Sequence, residues 1–272
     1  MNRKNSVVCV LVALMAAPVW AGPLTDDLLG RMAAADVVIL GEVHDNPAHH
    51  ETQKEALTAL QPKAVVWEML TSGEAARISS ALIHEPEKLE QVLEWAQSGW
   101  PAFAMYHPIF EAAPEARIYG GEVPREAALV VIQSGAALAF GPDAAQYGLT
   151  ENLPKDQQTQ REALQLEAHC DAIAADKLAA MVGIQRLRDA VMAREVVAAL
   201  GATGGPVAVI TGNGHARRDW GIPVYLDRVR PGTKLFVLGQ FEDGQISGIF
   251  DAVLDSPAID RDDPCKGLVK TD

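Results

Sequence analysis

Residues 37–50 run Val37-Val38-Ile39-Leu40-Gly41-Glu42-Val43-His44-Asp45-Asn46-Pro47-Ala48-His49-His50, and this stretch decides the fold class. Four consecutive apolar residues, three of them β-branched, read as a strand buried on both faces, because a strand with one wet face would alternate. Asp45 or Asn46 can accept the free N–H groups of a helix start, and Pro47 suits a first helical position. The spacing predicts a strand, a short polar loop and a helix from about Pro47 to Leu60.

The pattern recurs outward from there. Ala64–Trp67, Ala116–Tyr119, Pro206–Ile210 and Lys234–Leu238 are further short apolar runs, separated by helical stretches. Such an order predicts an α/β fold with a mainly parallel sheet flanked by helices. Two stretches, about 71–115 and 150–200, exceed simple crossovers and read as helical insertions forming a smaller all-helical part. In the first, Leu89, Val92, Leu93 and Ala96 keep helical spacing up to Gly99-Trp100-Pro101. In the second, Leu178, Met181, Ile184, Leu187 and Val191 trace one helix face, and Gly201 ends it. One domain is expected over 22–255, with an Asp- and Pro-rich, disordered tail at 256–272.

Residues 1–21 have the build of a signal peptide. Arg3 and Lys4 precede an apolar stretch from Val7 to Ala17, Pro18 breaks it, and Val19-Trp20-Ala21 offers small residues for cleavage after Ala21. The stretch is shorter than the roughly 20 residues that span a bilayer. A periplasmic or otherwise exported chain is expected, without membrane insertion once processed. Removing Arg3 and Lys4 takes the formal charge from −13 to −15. So acidic a chain argues against nucleic acid and anionic membranes as partners. Cys170 and Cys265 would remain; they can pair in an oxidising compartment or stay free. No Cys-x-x-Cys-His occurs, which excludes covalent haem attachment.

Ligand sites in open α/β sheets lie beyond the carboxyl ends of the strands. Four strands here end in polar residues: Glu42-Val43-His44, Glu68, Gly120-Gly121-Glu122, and Gly212-Asn213-Gly214-His215 followed by Arg217, Arg218 and Asp219. Taken singly, a carboxylate after a strand is an ordinary helix cap and a histidine an ordinary hydrogen-bonder. Together they put Glu42, His44, Glu68 and His215 at one sheet edge, with both histidines arriving in Gly-x-x-His. Neighbouring buried carboxylates need compensation, and Arg217 and Arg218 are the nearest cations in sequence. His49 and His50 follow on the first helix, where at least one is expected to face solvent.

The run Gly41 to His50 with Glu68 resembles the opening of the ChaN-like haem-binding uptake family. That family belongs with the TIKI, TraB and erythromycin-esterase-like proteins. His169-Cys170, Met181, Gln185 to Ala193, Gly212-Asn213-Gly214-His215, Arg218-Asp219 and Gly221-Ile222-Pro223 extend the likeness, so that it covers Val37 to Leu226. Glu122 departs from it, standing where relatives tend to have asparagine. The resemblance implies a parallel sheet with a smaller helical part, and haem held between two subunits of a homodimer. It implies a tyrosine as iron ligand, carried over to Tyr106 ahead of Pro108, with Tyr119, Tyr147 and Tyr225 as alternatives. It further implies that His44, His215 or Arg218 meets the haem propionates, with Glu42, Glu68 and Asn213 lining the cleft. A competing reading from the same residues is a hydrolase. Glu42 or His44 would activate water, Glu68 would orient it, and His215 with Arg218 would stabilise negative charge. Its variant holds a divalent metal by His44, His215 and a glutamate.

Overall fold

The apolar runs form the six strands of one sheet in the computed structural model, which describes residues 24–244, 246–263, 265 and 266. They are β1 (Val37–Glu42), β2 (Ala64–Trp67), β3 (Arg117–Gly120), β4 (Val207–Gly212), β5 (Leu235–Glu242) and β6 (Ala252–Ser256). Their spatial order is β3-β2-β4-β1-β5-β6, and every pairing is parallel. The expected α/β class and parallel sheet are therefore present. The expected signal peptide at 1–21 lies outside the described residues.

Twelve α-helices occur among the described residues. α1 (Asp26–Ala33) precedes β1, and α2 (Pro47–Leu60) joins β1 to β2. Between β2 and β3 lie α3 (Ser72–Ala75), α4 (Ser80–Ile83), α5 (Pro86–Val92) and α6 (Phe103–Ala112). Between β3 and β4 lie α7 (Arg125–Ser134), α8 (Ala136–Phe140), α9 (Lys155–Ala168) and α10 (Ala175–Thr203). α11 (Asn213–Ala216) and α12 (Ile222–Val229) connect β4 to β5. No helix among the described residues is long and apolar enough to cross a membrane.

Alternation along each strand splits the core in two. Val37, Ile39, Val66, Val207 and Val209 face α7, α8, α10 and α12, whereas Val38, Leu40, Val65, Trp67 and Ile210 face α2 and α4–α6. Burial on both faces is what the continuous apolar runs require. In the second layer the Trp67 and Phe110 rings stack with centroids 3.9 Å apart. That pair locks α6, and with it Tyr106, against the sheet.

The C-terminal stretch differs from the expected loose tail. Ser256 closes β6, Arg261 pairs with Asp45 and Glu242, and Cys265 is disulfide-bonded to Cys170. β6 itself is an unexpected strand. It sits at the sheet edge, half exposed and interrupted by Asp255, so it lacks the apolar run that marks the others.

Candidate functional site at the carboxyl ends of the central strands

β2, β4 and β1 are neighbours, so their carboxyl ends deliver Glu68, the Gly212–His215 segment and the Glu42–His44 segment side by side. The chain leaves β1 toward one side of the sheet and β4 toward the other. That divergence opens a crevice between them.

Glu42 ends β1 with its side chain fully enclosed. Its Oε1 accepts the Tyr106 hydroxyl at 2.9 Å and the His44 Nδ1–H at 2.7 Å. Its Oε2 accepts Gln53 Nε2–H at 2.7 Å. Asn46 caps α2 by accepting from the Ala48 N–H, and Pro47 takes the first helical position, as expected. That start turns positions 49, 50 and 53 onto the face toward β1, because residues three and four apart share a helix side. Both His49 and His50 are buried, which corrects the expectation that one faces solvent. His49 Nδ1 accepts the Val43 N–H at 2.9 Å and fixes the loop after β1. His50 packs on the Tyr106 ring at 4.3 Å, with Nε2 3.4 Å from Glu42 Oε2.

Glu68 follows β2 and is also buried. Its Oε2 accepts from Thr211 Oγ1–H at 2.6 Å and the Gly212 N–H at 2.8 Å, and its Oε1 lies 3.4 Å from His215 Nε2. Burial opposes its ionisation, but the His215 and His44 charges and these two donors outweigh that and hold its pKa at about 2. His215, on α11, donates Nδ1–H to Asp189 Oδ1 of α10 at 2.6 Å. Burial alone would lower the His215 pKa; the carboxylates of Glu68 and Asp189 on either side raise it.

The two halves meet over Gly212. A Cβ there would stand 2.8 Å from His44 Nε2 and 3.7 Å from Glu68 Oε2, so only glycine lets the imidazole lie across the end of β4. Burial pulls the His44 pKa down, but the Glu42 hydrogen bond and the Glu68 and Glu42 charges raise it to about 9. His44 is thus an imidazolium at neutral pH. Its side chain is 33% exposed, against 10% or less for Glu42, Glu68, His215 and Asp189, which makes it the outward-facing member of the row. Its ring lies edge-on to Trp100, 4.9 Å between centroids.

Three expected contributors stand elsewhere. Asn213 clasps the Gln240 backbone, accepting its N–H at 3.0 Å and donating to its carbonyl. Arg218 forks onto Asp251 and donates to the Leu235 carbonyl at 2.7 Å. Arg217 is bound to Asp219. Glu42 and Glu68 are therefore compensated by histidines and neutral donors, not by Arg217 or Arg218. Glu122 lies in a separate hollow with Thr71 and Arg194, where burial and the Glu74 charge push its pKa up to about 7. Gln53, Thr211 and Asp189 escape reasoning from strand ends. The helical spacing 46, 49, 50, 53 of polar residues beside a buried strand is a signal that could have identified Gln53.

Chemically, the row Tyr106–Glu42–His44 and Glu68–His215–Asp189 can hold protons at fixed atoms and present one cation outward. Among the described residues no group of three His, Cys, Asp or Glu side chains is arranged as a metal-ion site.

Comparison with known proteins agrees with this architecture. The family model described as haem-binding uptake, Tiki superfamily, ChaN matches residues 28–226. The structure of ChaN of Campylobacter jejuni with cofacial haem binding superposes with a TM-score of 0.65 at 20% identity, covering 84% of this chain and 90% of that one. The type III effector HopBA1 is more distant, with a TM-score of 0.48 at 14% identity over 88% of this chain and 95% of that one. No curated protein sequence matches. Since the family model spans most of the chain, the protein belongs to the ChaN haem-binding uptake family of the Tiki superfamily.

Proposed function

We propose that the protein is exported, binds haem, and takes part in haem and iron uptake as a homodimer when loaded. The family match over 28–226 carries this reading. The cofacial haem binding of the Campylobacter jejuni ChaN supports pairing of subunits around the ligand. So do Leu129, Ile132 and Leu138, which stand exposed on α7 and α8 within a stretch free of charge from Ala127 to Pro142.

The residues fit haem in part. A ferric haem carries two carboxylates, and the outward imidazolium of His44 suits one of them. Iron is taken by tyrosinate, imidazole or thiolate. Tyr106 does not fit that role: it has no exposed surface, its hydroxyl is committed to Glu42, and burial with the Glu42 charge raises its pKa further from ionisation. Tyr147 and Tyr225 are buried and Tyr119 is half-buried. Cys170 is closed in its disulfide. No step is assigned to Tyr106 at iron.

Haemin titrated into the chain 22–272, with absorbance and size-exclusion elution followed together, tests the proposal. A saturable Soret band with a shift from monomer to dimer is expected. Absence of a specific band with unchanged elution refutes it.

A second reading, hydrolysis, is favoured by one observation: the Glu42–His44 and Glu68–His215 pairs meet at Gly212. With its raised pKa, His44 would donate a proton to a leaving group, and Glu68 would hold water against the end of β4. Metal analysis of protein purified without chelator tests the metal-dependent version. Stoichiometric metal lost in His44→Ala supports it, and no bound metal in the intact protein rejects it.

A further inference from the structure

On the side of His215 away from Glu42 lies a cavity of about 260 Å³ between α9, α10 and the segment from Gly214 to Trp220. One wall is apolar, made by Leu164, Ala168 and Val182, and Trp220 contributes its indole. On the same face of α9 as Leu164 and Ala168 stands Arg161, only 7% exposed. Its Nε has no hydrogen-bond partner, and it forms no ion pair among the described residues. Its guanidinium lies 5.0 Å from the Trp220 ring centroid, and that of Arg217 lies 3.8 Å from the same centroid.

The neighbouring anions are committed. Asp219 is held by both arms of Arg217, and Asp189 by His215. Arg186 adds a second buried Nε without a partner, although its Nη2 donates to the Gly148 carbonyl. Buried cations are not left unpaired without compensation, and a chain as acidic as this one had many carboxylates to offer. Burial pulls the Arg161 pKa below the usual guanidinium value, against the opposing pull of Tyr225 and Asp189.

The geometry points to a ligand site: the cavity binds an organic carboxylate, its head forked on Arg161 and its apolar body against Leu164, Val182 and Trp220. A carboxylate matches the planar guanidinium with two parallel hydrogen bonds. Asp189 nearby offsets part of the Arg161 charge, which suits one negative charge better than the two of a phosphate monoester. Apolar walls and this volume suit a body the size of benzoate. The carboxylate can be that of a free small acid or a propionate of haem, and the latter case alone rests on the haem reading.

Calorimetry and thermal melting of the chain 22–272 with benzoate and its neutral isostere benzamide test the site. Benzoate binds one per chain and raises the melting temperature, while benzamide binds at least tenfold more weakly. Arg161→Met lowers benzoate affinity at least tenfold and melts no lower than the parent, since it removes an uncompensated buried cation. Ala168→Phe keeps Arg161 but fills the cavity, and it too loses benzoate. No benzoate binding, equal binding of benzamide, or undiminished binding by both variants overturns the proposal. Haemin titration with and without saturating benzoate then separates the sources. Tenfold weaker haemin binding assigns the site to a propionate; unchanged binding assigns it to a separate small acid. The benzoate measurements contain no haem, so their failure is distinct from failure of the haem reading.

Discussion

Replacing Tyr106 by Phe removes one oxygen and leaves the ring among His50, Trp95 and Trp67, at centroid distances of 4.3, 5.1 and 6.4 Å. Packing is therefore almost unchanged, and the loss is the hydroxyl's hydrogen bond to an enclosed carboxylate, which it shares with the His44 carbonyl at 3.1 Å. Glu42 keeps His44 and Gln53 as donors, so it is weakened rather than orphaned. A hydrogen bond to a charged group contributes about 1.5–3 kcal/mol, which sets the expected destabilisation near 2 kcal/mol. For a domain of this size each kcal/mol moves the midpoint by roughly 2–4 °C, so Tyr106→Phe should melt about 4–8 °C lower. Calorimetry reads that shift, and haemin titration of the same sample reads the other half of the prediction. The haem absorbance spectrum should not change, because the hydroxyl serves Glu42. An unaltered melting temperature together with loss of a phenolate charge-transfer band would refute the reasoning and return Tyr106 to the iron.

Gly212→Ala places a methyl 2.8 Å from His44 Nε2, so the imidazole must swing off the end of β4, out of its Glu42 hydrogen bond and away from the Glu68 charge. The His44 C2–H resonance should then titrate nearer 6.5 than 9, with a cost of about 1–3 kcal/mol from overpacking. An unchanged titration would contradict the close approach. The folded-state pKa of His44 lies above its unfolded value of 6.5, so its stabilising effect is complete below pH 6.5 and is lost as pH rises through about 9. Urea midpoints between pH 6 and 10 should fall in that window for the parent and stay flatter for His44→Gln. Glu68 behaves in the opposite sense. Its folded pKa of about 2 lies below the unfolded 4.5, so its contribution is complete above pH 4.5 and disappears as pH falls through about 2. Glu68→Gln should flatten the acid limb of the same profile, and an acid limb as steep as the parent's would contradict it.

The sheet was legible because strands buried on both faces cannot hide their composition. Val37–Leu40, Ala64–Trp67 and Val207–Ile210 are continuous apolar runs, and each is followed within one or two positions by a polar residue that the fold still buries, Glu42, Glu68 and Thr211. Once those ends are known to be neighbours, Glu42, His44, Glu68 and His215 follow. What stayed hidden belongs to residues whose partners are remote in sequence. Asp189 sits mid-helix, and nothing local distinguishes it from a solvated position. Arg218 illustrates the converse error: proximity to His215 in the chain placed it in the cleft, yet Asp251, 33 positions away, captures it. β6 was missed because an edge strand is only half committed to the core, so its composition resembles that of a loop.

The Cys170–Cys265 bond joins positions 95 residues apart, so the first thiol leaves the ribosome well before its partner exists. At about 5–20 residues per second, that gap lasts on the order of 5–20 s. During it Cys9 is the only other thiol in the nascent chain. Cleavage after Ala21, as the sequence leads one to expect, would take that competitor away. The order in which thiols emerge, rather than final geometry alone, would then decide whether Cys265 finds Cys170. Retaining the leader should yield a fraction of chains cross-linked through Cys9.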